Sequence, residues 1–483
     1  MARAMPADHD ALTKTWLPDP SHYPEQMTPL SATVWFEATG RGAHVAAREL
    51  RAPFGGFETR LELGWAYECE IEPDWKPDRR VLEQASVELP ERWERQLRPR
   101  VLEINGELER MRPDIAPAGD AVALFDRLWE LVQEEWTIHF LVVLPALAAA
   151  ELVEPEQLLG MDNPADDAVW DLADTATEAG VDDLIRDFAP PAALERLRAS
   201  APGRRFLRAL DAFLAAYGGR ARWHELSLPR EAEHPAMTLE AVRLALETGR
   251  RPTRAAGPKG GDHRLRASYA LKESHAYDID YPGLLATREA LRGFGRRLVA
   301  EGLLDDVDDV WMLERGELRR ALAETFDLRA VVARRRAEHS QGLVEGMRPY
   351  LGEPPESRVR DSVVESFYGS RGSALSGAGA SAGVAEGTAR IVAGPGDFSR
   401  VTTGDILITT TTTPAWTPLF PSLGALVTET GGILSHAAVV AREYGLPAVV
   451  GAAGATRAIV DGSRVRVDGD AGTVTILATP AAS

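Results

Sequence analysis

The segment with the densest chemical content is Thr428-Glu429-Thr430-Gly431-Gly432-Ile433-Leu434-Ser435-His436-Ala437-Ala438-Val439-Val440-Ala441-Arg442-Glu443-Tyr444-Gly445-Leu446-Pro447. A short apolar strand ends at Val427, and the glycine pair after it lets the backbone turn tightly and admits a bulky group. Ser435 is placed to cap a helix that begins at or just after His436. Ala437, Ala438 and Ala441 are small, strong helix formers, so another body can approach closely. Gly445 ends the helix, Pro447 keeps it ended, and a strand, Ala448–Val450, follows. An imidazole therefore stands beside free backbone N–H groups at a helix N-terminus. Those donors and the helix dipole favour an anion such as a phosphoryl group. Neutral imidazole is a good nucleophile near neutral pH, and a phosphoramidate passes its group on readily. Gly431, Gly432 and Ser435 are the candidates for cradling that group. Arg442, about a turn and a half along, either reaches the phosphate or stays a surface charge. Taken alone, a histidine at a helix start reads as a cap or core residue, so the setting has to decide.

The elements that position this segment form a compact mixed domain. Ile406-Leu407-Ile408 and Ala425-Leu426-Val427 read as short buried strands. Arg464–Val467, the turn Asp468-Gly469-Asp470-Ala471-Gly472, and Val474–Leu477 read as a hairpin. Ahead of them, residues 352–382 are rich in Gly, Ser and Pro and read as a flexible tether, with 351–374 as the linker proper. Residues 1–80 are irregular and aromatic-rich, with a loop and short strands around Phe54–Tyr67. From about residue 82 the apolar period is helical: Val101, Ile104, Leu108 and Met111 line one face up to Pro113. Asp120 is placed to cap a helix whose inner face carries Phe125, Leu128, Val132 and Trp136. Further helical runs are expected near 164–190, 191–217, 238–250, 262–278, 283–302 and 314–345. The fold expected is α+β and multidomain: a large, mainly α-helical substrate-binding domain over 1–350, then a β/α histidine domain over 375–480.

Composition narrows the partners. A chain of 483 residues exceeds one core. Its net charge of -19 repels phosphate backbones and anionic lipid heads, so neither nucleic acid nor membrane is expected. Cys69 is the single cysteine, which allows no internal disulfide and no thiolate cluster, and no metal site is expected. There is no apolar signal core at the N-terminus, and the run Phe140–Ala150 is about half a membrane span and contains Pro145. A cytoplasmic location is expected.

The order of a Gly pair, Ser-His-Ala-Ala, Ala-Arg and Gly-x-Pro-Ala-Val around His436 resembles the mobile phosphohistidine domain of the phosphoenolpyruvate-utilising enzymes. That family includes phosphoenolpyruvate synthase, pyruvate phosphate dikinase, enzyme I of the sugar phosphotransferase system and rifampin phosphotransferase. Ser381–Gly387, Gly404-Asp405-Ile406-Leu407, Thr413-Pro414-Ala415-Trp416 and the Asp468-Gly469 hairpin fit the same pattern, over residues 375–480. Glu429 stands where the family often has Asp. The resemblance puts the phosphorylated histidine on His436 and implies a domain that swivels. The helical part resembles the substrate-binding region of rifampin phosphotransferase. Tyr217-Gly218-Gly219-Arg220 followed by Glu225 carries that likeness, as do Gly302-Leu303-Leu304, Asp308–Leu313 and Glu317-Leu318. No ATP-grasp domain and no room for a phosphoenolpyruvate barrel are evident. The resemblance therefore implies that ATP and Mg2+ sit on a separate ATP-grasp partner, that this chain holds no cofactor of its own, and that ATP goes to AMP and phosphate.

An acceptor hydroxyl needs a base within reach, and a moving phosphoryl group needs positive charge. Arg220, Arg222, His224 and Glu225 form the densest such cluster; Lys272, Glu273 and His275 form a second; His139 could line an apolar pocket. Their plainer reading is solvated charge pairs for the clusters and a core histidine for His139. His22 and the glycine loop Gly257-Pro258-Lys259-Gly260-Gly261 are weaker signals, and Trp65, Tyr67 and Trp75 could form an aromatic wall or pack a core. The function expected is a phosphotransferase component that moves a phosphoryl group through His436 to a hydroxylated small molecule. A lyase or ligase that activates a carbonyl or carboxylate, and a non-catalytic regulatory protein, are the two alternatives.

Overall fold

The computed structural model describes residues 14–18, 23–153, 164–221, 225–249, 251, 262–324, 326–348, 350–352, 375–412, 414–433 and 435–480. Two compact units result: Met1–Val153 with His224–Leu228 and Asp262–Val359, and Glu154–Trp223 with Pro229–Gly261 and Arg360–Ser483.

The first unit is mainly helical. Its axis is the helix Ala121–Glu151, against which Pro29–Glu49, Arg79–Arg92 and His263–Ser274 pack. Phe125, Leu128, Val132 and Trp136 are buried on it, three or four apart as expected. Asp120 occupies the cap position but its side chain makes no capping bond, contrary to expectation. The helix runs through Pro145, and the carbonyl of that residue is used by the Ser86 hydroxyl at 2.8 Å. By length and hydropathy the helix would pass for a membrane span, yet 72% of its most apolar window is buried inside the protein, which marks a core helix. A small antiparallel sheet lies beside the helices: β1 (Thr15–Pro18), β2 (Phe57–Glu62), β3 (Trp65–Glu70) and β4 (Leu351–Gly352), in the order β2-β3-β1-β4.

The expectation of an irregular start over residues 1–80 needs correction. The hairpin β2–β3 is there, but Pro29–Glu49 is a 21-residue helix. Its buried face is made largely of small residues, Ala32, Ala38, Ala43 and Ala46, with Gly42 among them. A Cβ at Gly42 would come within 2.7 Å of the Trp136 backbone. The glycine that reads as a breaker is thus where two helices touch, and Trp35 and Trp136 pack beside it with tilted rings 4.3 Å apart. The supposed aromatic wall is also absent. Trp65 donates to the Gly342 carbonyl, Trp75 donates to the Ala52 carbonyl, and the buried Tyr67 hydroxyl accepts from the Arg348 N–H, so each ring serves packing.

The second unit joins a helical cluster to the C-terminal sheet. Helices Pro164–Glu178, Asp182–Asp187, Pro190–Ala199, Ala201–Tyr217 and Pro235–Thr248 enclose Trp170, Phe206, Phe213 and Val242. The sheet has seven strands: β5 (Ala378–Ser381), β6 (Val384–Ile391), β7 (Ile406–Thr409), β8 (Ala425–Thr428), β9 (Ala448–Val450), β10 (Arg464–Asp468) and β11 (Thr473–Ala478). Their order is β11-β10-β6-β7-β8-β9-β5, with β6 to β9 parallel and the outer strands antiparallel. Successive side chains on β7 to β9 alternate between two cores. Leu407, Leu426 and Ala448 face Trp416, Phe420 and Ala441, whereas Ile406, Ile408, Val427 and Val449 face Ile459, Val465 and Val467. Covering on both faces explains why these strands read as unbroken apolar runs.

The compact units do not divide at residue 350, where the sequence suggested a boundary. Leu244, on the helix Pro235–Thr248, is 5% exposed and belongs to the same core as Trp416 and Leu419. The helices between residues 164 and 249 therefore count with the histidine-bearing sheet. Most of the expected linker 351–374 lies outside the described residues. Ser376 bridges to Thr473 and Ala378–Ser381 pairs with β9, so residues expected at the end of a tether are sheet.

Candidate functional site

His436 sits past the C-terminal ends of β7 and β8, the edge where parallel sheets bind ligands. Beyond β8 the chain stays paired to the segment after β7: Glu429 N–H bonds the Thr409 carbonyl at 3.0 Å and Thr430 N–H the Thr410 carbonyl at 3.1 Å. That pairing lays Thr412 alongside the imidazole. Gly431 then turns the chain at φ 94°, and a Cβ there would lie 2.8 Å from Ser435 Cβ and Oγ. Only glycine combines that backbone with that contact. Ser435 Oγ accepts from the Ala438 N–H at 3.4 Å and caps the helix His436–Tyr444, whose αL residue Gly445 closes it.

The ring is half-buried, with edge contact to Phe420 at 6.3 Å. Thr412 Oγ1 lies 3.1 Å from Nδ1 and Thr417 Oγ1 lies 3.4 Å from Nε2. These two hydroxyls were not singled out in the sequence, although Thr417 follows the Thr413–Trp416 turn directly. Arg442, the charged candidate near the ring, lies in the last turn of that helix. Its guanidinium donates to the Ile433 carbonyl at 2.6 Å and to the Ala380 carbonyl at 3.5 Å, so its charge holds the glycine turn in place. Glu429 accepts from the N–H and hydroxyl of Thr456, at 2.8 and 2.5 Å.

The acceptor candidates fall in both units or outside the described residues. Arg220 belongs to the second unit, Glu225 to the first, and Arg222, His224, His22 and the Gly257–Gly261 loop lie outside the described residues. Arg220 is buried and pairs with buried Glu231 at 2.8 Å, with the Thr238 hydroxyl on the same carboxylate. Glu225 is 2% exposed and accepts from Thr28 N–H, the Thr28 and Ser31 hydroxyls, and Ser227 N–H, at 2.5 to 3.2 Å. It binds the N-terminus of the helix Pro29–Glu49, where a negative charge is favoured. Lys272 is buried and pairs with Glu273 at 2.5 Å. Burial overturns the solvated-pair reading for Arg220, Glu225 and Lys272.

His139 and His275 do meet. His275 Nε2 is 3.0 Å from His139 Nδ1, which is 3.1 Å from Asp280 Oδ1. His275 Nδ1 donates to the Leu271 carbonyl at 2.7 Å. Burial, and then the neighbouring His139, push His275 down to about 4, so its ring is neutral. Glu135, one turn before His139, is 3% exposed and its pKa is well above the ordinary carboxylate value, from burial and then the Asp280 charge. Neither Glu135 nor Asp280 stood out in the sequence, because nothing local links them.

Comparison with known proteins finds two family matches, the second of which crosses the division between the two units. Residues 401–472 match the PEP-utilising enzyme mobile domain, and residues 164–300 match the rifampicin phosphotransferase fourth domain. The chain is 29% identical to chondramide synthase cmdD of Chondromyces crocatus over 96% of its own length and 14% of that protein. It is 30% identical to the uncharacterised phosphotransferase YvkC of Bacillus subtilis (61% of this chain, 39% of that one). It is 36% identical to rifampicin phosphotransferase of Streptomyces sviceus (54% and 29%). The chain thus spans well under half the length of each of these relatives. The part around His436 is a mobile domain of the PEP-utilising enzyme type. The helical region is similar to that of rifampicin phosphotransferases, within a mixed α and β fold.

Proposed function

We propose that the chain is a phosphotransferase component in which His436 takes a phosphoryl group from a donor and hands it to a hydroxylated small molecule. The observation that carries this reading is the placement of the ring. A half-buried imidazole stands at the capped N-terminus of a helix, on a glycine turn beside the open end of a parallel sheet. In the tautomer this chemistry needs, Thr412, the nearer hydroxyl at 3.1 Å, accepts from Nδ1–H, and the Nε2 lone pair is left to attack phosphorus. The bond from phosphorus to the donor's bridging oxygen breaks and the leaving group departs with its electrons. Thr417 Oγ1 stands where its hydroxyl can donate to a phosphoryl oxygen on Nε2. In the second step the acceptor oxygen attacks phosphorus, the N–P bond breaks, and a base takes the hydroxyl proton.

The donor is ATP with Mg2+ on an ATP-grasp body, a separate partner or a further part of a longer protein. A phosphoramidate transfers only at contact distance, so the histidine domain swings between donor and acceptor. Similarity to a chondramide synthase over 96% of the chain favours a second setting, in which the same carrier activates a carbonyl or carboxylate within a synthase. Incubation with labelled ATP and an ATP-grasp partner tests the carrier reading. The expected result is an acid-labile, base-stable label on His436, chased off by acceptor. A stable phosphate ester as product supports hydroxyl transfer, and its absence with turnover supports the activation setting. No label on His436 under turnover overturns both.

A further inference from the structure

Three side chains within the helical unit converge although they are far apart in sequence. His139 lies on the helix Ala121–Glu151, His275 on the short 3-10 turn His275–Tyr277, and Asp280 opens the helix Asp280–Ala300. The ligand-type atoms of all three fall within 4.8 Å of one another, with two of the separations at 3.0 and 3.1 Å. Metal–ligand bonds of about 2.0–2.2 Å put neighbouring donors roughly 3.0–3.5 Å apart, so the spacing suits a shared ion. We propose that His139 Nδ1, His275 Nε2 and Asp280 Oδ1 bind one divalent transition-metal ion.

Two further features point the same way. His275 donates Nδ1–H to the Leu271 carbonyl, which leaves Nε2 as the lone-pair nitrogen facing His139. Metal-bound histidines are held by a second bond of this kind. The second feature is Glu135. It precedes His139 by one turn on the same face, and its Oε1 is buried without a hydrogen-bond partner among the described residues. A Cβ at Gly283, one turn after Asp280, would run into the Glu135 carboxylate, so that carboxylate reaches the same face of the helix Asp280–Ala300. Two carboxyl groups are thereby brought beside two imidazoles, a donor set that a divalent cation can use. Two imidazoles and one carboxylate suit Zn2+ or Fe2+ and not Mg2+, which prefers an all-oxygen octahedron. Three protein donors leave at least one coordination position for water or an oxygen ligand.

The test uses the full chain, stripped with a chelator and titrated with Zn2+, with Fe2+ under argon and with Mg2+. One equivalent of Zn2+ or Fe2+ per chain is expected, and none of Mg2+; the metal content of the chain as isolated tells the two apart. Asp280→Asn and His139→Gln are each expected to weaken binding at least about tenfold while circular dichroism stays unchanged. Co2+ loading supplies a second readout, since its visible bands should shift in Asp280→Asn. No stoichiometric binding of either ion, or binding undiminished in both variants, overturns the site and leaves a hydrogen-bonded triad. Label on His436 is measured in the same preparations, so failure of the carrier reading is seen separately.

Discussion

The two sites are built in opposite ways. Around His436 the contacting hydroxyls come from 24 and 19 residues away, through one strand connection and one turn. Around His139 the partners come from 141 and 136 residues away, on separate helices. The first site is exposed enough to meet another molecule; its donors are backbone groups, hydroxyls and a capped helix end. The second is assembled by the packing of helices that are distant in sequence. A site made by a local turn survives as a string of letters, whereas a site made by helix packing leaves single residues that look ordinary.

The contrast is broken most directly at its chemical end. His436→Ala is expected to lower phosphoryl label by more than about a thousandfold while the metal titration of the helical unit stays as in the parent chain. Residual label of parental size would move the carrier to another residue. Next comes the division of the chain. Leu244→Ala should destabilise the second unit by about 2–5 kcal/mol, read by urea unfolding with a probe in the histidine-bearing sheet. A sheet unfolding at an unchanged midpoint would instead place the boundary near residue 350.

A smaller effect is expected at the turn. Gly431→Ala must accept φ 94° and a 2.8 Å approach to Ser435, which costs about 1–3 kcal/mol. The cost should appear both in unfolding and as slower labelling of His436, with the metal titration untouched. The smallest effect belongs to the helical unit. Burial holds His339 below the ordinary histidine value of 6.5, with the Glu225 charge opposing. The unfolded chain therefore takes up this proton at a higher pH than the folded one. Its contribution is fully present above 6.5 and is lost as pH falls through that value toward the depressed folded pKa. His339→Gln should flatten the drop in urea midpoint between about pH 7.5 and pH 5.5 relative to the parent chain; equal slopes would refute the assignment.

Much of the histidine domain was legible before any coordinates. Gly431, Ser435, Gly445 and the alternation on β7 to β9 act over a few residues, so propensity, capping and period reveal them. Less was legible in the helical part. The periods of Ala121–Glu151 and Ala201–Tyr217 showed, but Pro29–Glu49 was hidden by glycines that allow close approach, Gly42 to another helix and Gly40 to the strand at Phe57. Arg220, Glu225 and Lys272 read as charge for an acceptor, and the tertiary fold buries each against a partner.

The order of residues from Thr428 to Pro447 was enough to determine a capped helix with an imidazole at its positive end, because the Ser435 cap and the Gly445 stop act within the segment. Tertiary structure alone decided that Leu244 joins the core beside that helix, and that His139, His275 and Asp280 share one point. The reason is loop closure: packing brings together groups more than a hundred residues apart, and no local pattern encodes which of many buried residues will meet.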